Sequence, residues 1–278
     1  YKSNRIHNIN ELVNASKQYD CIIVGSDQVW NIDLYNGIVD EVYFLQSEKM
    51  CCRKVGYALS AGNLLKMDAL TIRKVVNNFD RLSAREQQLA DQLSVVSGLK
   101  IPTVLDPVFL LAKDDWVKLC PDIGYEKYIF FYVLEYNKEL LNILECVKSN
   151  LGDDIKVVEV GFNEINKDSI LINQLNPKIF LSLVRNAECI ISNSFHATAF
   201  SIIFEKSFYT LKHSIRNNRM ESLLNKVGLL DRCVSKCEEL IFFPIDYKRV
   251  GEELEKEILH SKKFLEGSIG GETRNGEL

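Results

Sequence analysis

The stretch Glu188-Cys-Ile-Ile-Ser-Asn-Ser-Phe-His-Ala-Thr-Ala-Phe200 reads as a strand that turns directly into a helix. The apolar run ends at Ser192. Asn193 and Ser194 are both residue types that cap a helix start, and apolar sequence with two alanines follows. His196 therefore falls in the first turn of the new helix, at the crevice beyond the strand end. The helix dipole disfavours an imidazolium there, which makes a protonated His196 a better acid. The plain alternative is a histidine that only hydrogen-bonds a loop.

Outward from this stretch the same rhythm repeats. Downstream come a helix at 197–204 and a strand at 207–211. Upstream come strands at 128–134, 155–160 and 188–192, with helices at 138–147 and 177–185. Earlier still, an amphipathic stretch (9–19) leads to a strand at 21–24. A strand at 55–59 precedes helical sequence at 66–79, and 81–84 leads into 86–93. The run 103–105 ends at Asp106-Pro107. Alternating strands and helices imply βαβ units and parallel sheets. Residues 112–127, with Lys113-Asp-Asp115, Pro121 and Gly124, interrupt the alternation and mark a boundary. The expectation is two Rossmann-like α/β domains, 1–112 and 113–266, with ligands at the strand carboxyl ends and in the cleft between halves. Residues 252–265 read as a charged helix. The tail 267–278 holds four of the fourteen glycines and reads as mobile.

Composition narrows the function. The chain has 278 residues, 46% hydrophobic and 26% charged, with 34 basic against 38 acidic side chains, so it is globular rather than disordered. A net charge of −4 and a pI near 5.7 argue against a nucleic-acid partner. The longest apolar run, Tyr128 to Leu134, is seven residues, against the ~20 of a membrane-spanning helix. Eight cysteines are too few for a disulfide scaffold, and Cys21 and Cys189 sit in apolar runs. They read as reduced thiols of a cytoplasmic protein. Cys51-Cys52 and Cys233-x-x-x-Cys237 lack further Cys or His at zinc spacing, so no metal site is expected.

Two other strand-to-helix turns could carry chemistry. In Gly25-Ser-Asp-Gln-Val-Trp-Asn31, Gly25 would permit close backbone approach, and Ser26 and Asp27 could cap a helix or hold a hydroxyl. Trp30 is either a flat binding face or plain core. In Arg81-Leu-Ser-Ala-Arg-Glu86, Ser83 and Glu86 have capping-box spacing, which would place Arg85 in a first helical turn beside free N–H groups. A cation there is unfavourable unless an anion joins it. Downstream, Lys212, His213, Arg216 and Arg219 form a basic loop that could clamp an anion or lie solvated.

Taken in order, Tyr19-Asp-Cys-Ile-Ile-Val-Gly-Ser-Asp-Gln-Val-Trp-Asn31, Gly56-Tyr-Ala-Leu-Ser-Ala-Gly62, Leu82-Ser-Ala-Arg-Glu86, Val104-Leu-Asp-Pro107 with Trp116, and Ser194-Phe-His196 resemble the polysaccharide pyruvyl transferase family. The resemblance covers about residues 19–232. It implies a two-domain, glycosyltransferase-B-like fold and transfer of pyruvate from phosphoenolpyruvate to sugar hydroxyls, commonly as a cyclic ketal. Phosphoenolpyruvate is then the donor substrate and no cofactor is implied. The family's general acid or base falls on His196, and its phosphoenolpyruvate-binding arginine falls on Arg85. Asn193, Ser194, Gly25, Ser26 and Asp27 complete the expected substrate contacts. The departures are Ser194, where many members carry a basic residue, and Ala197, where they carry glycine. A family lysine has no clear match; Arg216 is the nearest stand-in and Arg219 the next. The family also opens with a strand and a Gly-containing turn that would lie upstream of Tyr1.

The partners this implies are phosphoenolpyruvate and a carbohydrate acceptor. A lipid-linked acceptor would bring a cytoplasmic chain to the inner membrane face with no anchor of its own. Oligomeric state is not legible. Two rivals stand beside this reading: a nucleotide-sugar glycosyltransferase of the same architecture, and a catalytically degenerate glycan-binding protein.

Overall fold

The computed structural model describes residues 5–136, 139–152, 154–160, 169–212 and 218–271. These divide into two compact units: residues 1–110 with 256–278, and residues 111–255.

In the first unit, β1 (Cys21–Val24), β2 (Arg53–Leu59) and β3 (Arg81–Ala84) form a parallel sheet in the order β1-β2-β3. A single parallel bridge from Ala84 to Thr103 extends it, so the strand expected at 103–105 is reduced to that contact. Helices α1 (Ile9–Ser16), α2 (Ala69–Asn77) and α3 (Gln87–Ser97) flank the sheet. Asn8 and Asp68 cap the first two by accepting from the N–H groups of Glu11 and Thr71. Such caps contribute about 1 kcal/mol each. The core gathers Leu12, Val24, Ile72, Val75, Leu89 and Leu93 around Trp30, which has no exposed surface. Trp30 stacks on Phe44 at 4.8 Å and meets the Phe79 ring edge-on at 5.6 Å. It is core, not an open binding face.

Strand β2 carries an irregularity. Its register with β3 shifts between Gly56 and Leu59, and Ala58 takes a left-handed φ of 51°. The displaced Ala58 N–H donates to Ser83 Oγ at 3.0 Å, and that hydroxyl donates to the Gly56 carbonyl at 3.2 Å. Ser83 is thus a strand residue that satisfies a bulge.

The second unit holds a six-stranded, all-parallel sheet in the order β6-β5-β4-β7-β8-β9. Its strands are β4 (Tyr128–Tyr132), β5 (Lys156–Val160), β6 (Ile170–Ile172), β7 (Cys189–Ser192), β8 (Ser207–Leu211) and β9 (Cys233–Val234). The helices are α4 (Lys113–Val117), α5 (Glu139–Leu151), α6 (Pro177–Asn186), α7 (Phe195–Ile203) and α8 (Asn218–Lys226). Strands β6 and β9 and helix α4 are absent from the sequence reading. Their two to five residues are too short to show a period. Ile129, Phe131, Leu140, Ile143, Leu144, Cys189, Ile191 and Leu211 form the core on the α5 face.

Three expectations need correction. The last helix, α9, runs Tyr247–Gly270, and from Lys256 onward it belongs to the first unit rather than to a domain ending at 266. Phe264 packs with Tyr57 and Val104, Ser261 Oγ accepts from Leu105 N–H at 2.9 Å, and the Ser268 carbonyl accepts from Arg53 Nε at 2.5 Å. Those contacts are far away in sequence, so local composition hid them. The mobile tail expected at 267–278 is likewise overturned for 267–270, which are helical with Ser268 fully buried, while 272–278 lie outside the described residues. Finally, the cysteines are not all reduced: Cys146 of α5 is bonded to Cys237, with Cα atoms 6.4 Å apart. Nothing in a spacing of 91 residues announces that pairing. Burial pushes the thiols of Cys233 and Cys189 up to about 11 and about 12.

Cys146→Ser should lower the stability of the second unit by about 2–4 kcal/mol, the usual effect of removing a native disulfide. Urea denaturation with and without reductant checks this; identical midpoints for the wild type under both conditions would contradict it.

Candidate functional site

In a parallel sheet every strand points the same way, so the turns after β1, β2 and β3 open on one edge. There the first unit gathers Ser26, Ser60, Arg85, Glu86 and Asp106. Arg85 lies at the strand-to-helix turn after β3, its N–H donating to the Leu59 carbonyl at 2.9 Å. Its side chain is only 2% exposed. Nη1 donates to Asp106 Oδ2 at 2.6 Å and to Ser26 Oγ at 3.1 Å, while Ser26 Oγ donates to the same carboxylate oxygen at 2.7 Å. Glu86 Oε2 lies 3.9 Å from Nε and Asp27 Oδ1 lies 4.0 Å from Nη2. Glu86 also accepts from Ser60 Oγ at 2.5 Å.

The capping box is therefore overturned. Glu86 is the residue at the N-cap position of α3, makes no capping bond, and turns its carboxylate to Ser60; Ser83 is committed to β2. Arg85 precedes the helix and is joined by carboxylates, not by free N–H groups. At Gly25 a Cβ would meet no protein atom within 4 Å. Asp27 caps no helix; it takes a left-handed φ of 79° and its Oδ1 accepts from the Gln28 N–H at 2.8 Å. Gly62 is the glycine this edge does require. Its φ is 73°, and a Cβ would lie 2.3 Å from Gln28 Oε1. The residue that sequence reasoning missed is Asp106. Its signal was present in Leu-Asp-Pro: an arginine drawn into a sheet edge needs a buried acid.

The second unit repeats the edge geometry. β7 and β8 are parallel neighbours, Ser192 lying opposite Thr210, so the turns that follow them share an edge. Ser192 Oγ donates to the Tyr132 carbonyl and accepts from Ser194 N–H at 3.0 Å. Asn193 spans to the turn after β4, its Oδ1 accepting from Leu134 N–H and its Nδ2 donating to the Glu135 carbonyl, both at 2.7 Å. Ser194 is the N-cap of α7, its Oγ accepting from Ala197 N–H at 3.5 Å. Asn193 and Ser194 are both buried, and their side chains build the turn.

Helix α7 is buried over eight of its nine residues; His196, at its second position, is the exception and is half-buried. Thr198 Oγ1 lies 2.8 Å from Thr210 Oγ1, tying the helix to β8. Arg219, half-buried, stands in the first turn of α8, the next helix along this edge. His213 and Arg216 lie outside the described residues; Lys212 follows β8 directly. Among the described residues no group of three or more His, Cys, Asp or Glu side chains is placed to share a metal ion, and no helix is long and apolar enough to cross a membrane.

The polysaccharide pyruvyl transferase family matches residues 1–214, a span that includes both edges up to and beyond His196. The chain belongs to that family. No curated protein matches the chain in sequence. Among solved structures it is similar to the UDP-GlcNAc 2-epimerase of Neisseria meningitidis bound to UDP-GlcNAc, at 13% identity and a TM-score of 0.58, covering 95% of this chain and 80% of that one. It is also similar to the Methanocaldococcus jannaschii UDP-GlcNAc 2-epimerase in complex with UDP-GlcNAc and UDP (16%, 0.51, 90% and 75%). A trehalose-6-phosphate synthase is a third (10%, 0.52, 82% and 71%). These identities speak for the fold alone: paired Rossmann-like units of glycosyltransferase-B type. The protein is a sugar-modifying enzyme of that fold.

Asp106→Ala should cost about 3 kcal/mol, because it takes from the buried Arg85 guanidinium the nearest of its three carboxylates, to which it is hydrogen-bonded. Replacing both at once, Arg85→Met with Asp106→Leu, should cost clearly less than the sum of the two single changes. Urea denaturation of the two single variants and the double variant checks this, and simple additivity would contradict it.

Proposed function

We propose that this protein moves a pyruvyl group from phosphoenolpyruvate to sugar hydroxyls of a surface glycan or its precursor, closing a ketal. The observation that carries the reading is His196: it is the single incompletely buried residue of α7, held at a helix start, and it is the residue to which the resemblance gives the family's acid–base role. A protonated His196 gives its proton to the methylene carbon of phosphoenolpyruvate, and positive charge develops at C2. A sugar hydroxyl adds there and loses its proton. The C2–O bond to phosphate then breaks, inorganic phosphate leaves, and a second hydroxyl of the same sugar adds to C2, its proton passing to the departing phosphate. The ketal forms with no change in oxidation level.

Holding the donor needs positive charge. The N–H groups at the start of α7 offer donors without formal charge, and Arg219, with Arg216 beyond the described residues, supplies guanidinium groups after β8. Arg85 fits that role less well than the resemblance implies. Three carboxylates lie within 4.0 Å of it, so its surroundings carry net negative charge. We assign it instead to holding Ser26 and Asp106 in place, with Asp27 at the rim orienting the acceptor. Phosphoenolpyruvate sets the proposed location as cytoplasmic, and a lipid-linked acceptor would draw the chain to the inner membrane face.

A second reading, transfer from a nucleotide sugar, draws support from the solved structures, two of which hold UDP-GlcNAc or UDP. The two readings differ in what leaves: inorganic phosphate in the first, a nucleoside diphosphate in the second.

His196→Ala should lower phosphate release from phosphoenolpyruvate, measured with a cell-envelope glycan extract as acceptor, by about 10²-fold or more. Phosphoenolpyruvate binding should be largely kept. An unchanged rate would remove His196 from the chemistry. Release of UDP from UDP-GlcNAc, with no phosphate from phosphoenolpyruvate, would replace the first reading by the second.

A further inference from the structure

The segment after β1 leads away from the polar cluster and then back into the core at Phe44. From Asp27 to Glu48 it carries five carboxylates (Asp27, Asp33, Asp40, Glu41 and Glu48) and no lysine or arginine. It is also rich in large apolar side chains that remain in solvent: Leu34 is 50% exposed, Tyr35 38%, Ile38 67% and Tyr43 39%. This exposure is not a sign of looseness. The buried Trp30 indole donates to the Tyr43 carbonyl at 3.1 Å, so Tyr43 has its backbone anchored in the core while its ring stays out. A 3-10 turn, Ile32–Tyr35, is closed by Gly37 N–H to the Ile32 carbonyl at 2.8 Å and by Ile38 N–H to the Tyr35 carbonyl at 3.0 Å. Asp40 Oδ1 accepts from Val42 N–H at 2.9 Å. The rings are thus mounted on a pinned scaffold.

The segment meets the cluster described above at Asp27. Partial burial, with the nearby Tyr43, Asp40 and Asp27 groups, raises the Tyr35 hydroxyl above its usual range. Asp27 in turn is 4.0 Å from the Arg85 guanidinium.

Its chemistry selects the occupant. Lys66 pairs with Asp33 at 2.7 Å and the buried Arg85 lies 4.0 Å from Asp27, which leaves Asp40, Glu41 and Glu48 to give the segment a negative charge that disfavours phosphoenolpyruvate, a nucleotide pyrophosphate and an anionic lipid surface alike. Aromatic rings favour the flat C–H face of a pyranose, and carboxylates accept strong hydrogen bonds from its hydroxyls. We propose that residues 31–48 are the acceptor platform, on which an uncharged sugar ring rests against Tyr35 and Tyr43 and is held by Asp27 and Asp40. This rests on the sugar-modifying reading above and supplies its missing half: the acceptor is neutral at the unit that is gripped, and the anionic donor is held elsewhere.

The test is saturation-transfer NMR on the full chain with methyl β-D-glucopyranoside, methyl β-D-galactopyranoside and methyl N-acetyl-β-D-glucosaminide as probes. At least one should show transfer to its ring C–H protons. Tyr35→Ala with Tyr43→Ala should cut that signal by about tenfold or more, the effect of losing an aromatic anchor, while Phe at both positions keeps most of it. Thermal melting of each variant shows that the fold is intact. Should the alanine pair unfold, Asp27→Asn with Asp40→Asn takes its place, with the same loss expected. No transfer to any probe, or equal transfer in wild type and variants, overturns the proposal. A tyrosine-dependent sugar signal together with no binding of phosphoenolpyruvate overturns the pyruvyl reading instead and leaves the platform standing.

Discussion

Parallel strand pairing is the constraint on which the rest depends. Because β1, β2 and β3 run the same way, Ser26, Ser60 and Arg85 reach one edge from three distant parts of the chain. Because β7 and β8 do the same, the Ser194 cap, His196 and Lys212 share another. No residue in either group needs to be close in sequence. The constraint also explains why both edges are polar within otherwise apolar units: strand ends and helix starts leave backbone groups unpaired, and Ser, Asn and Asp satisfy them.

Electrostatics then separates the two edges. In the first unit a buried guanidinium is surrounded by Asp106, Glu86 and Asp27, and the adjoining segment adds four more carboxylates. In the second unit the edge holds the start of α7, with Arg219 in the first turn of α8. A trianionic donor and a neutral sugar ask for opposite surroundings, and the two edges differ in that sense.

Much of this was legible in the amino-acid sequence, for identifiable reasons. The turn at Ser194 and His196 could be read because strand, cap and helix are contiguous there. The alternation of elements gave both parallel sheets. What failed was non-local or ambiguous. Ser83 and Glu86 have capping-box spacing, yet Ser83 is drawn into the β2 bulge and Glu86 to Ser60, because a buried unsatisfied N–H or carboxylate costs more than a surface cap returns. Asp106 was passed over as part of a turn, although it balances Arg85. The Cys146–Cys237 bond and the return of α9 from Lys256 join residues too far apart for any local pattern. That bond also runs against the reduced state expected of a cytoplasmic protein.

The central claim is that the donor is phosphoenolpyruvate, held by the second edge. Calorimetric titration of the protein with phosphoenolpyruvate and, in parallel, with UDP-GlcNAc tests it without knowledge of the acceptor. The account predicts saturable heat with phosphoenolpyruvate, weakened by Arg219→Ala, and none with UDP-GlcNAc. Saturable binding of UDP-GlcNAc with no response to phosphoenolpyruvate would contradict it.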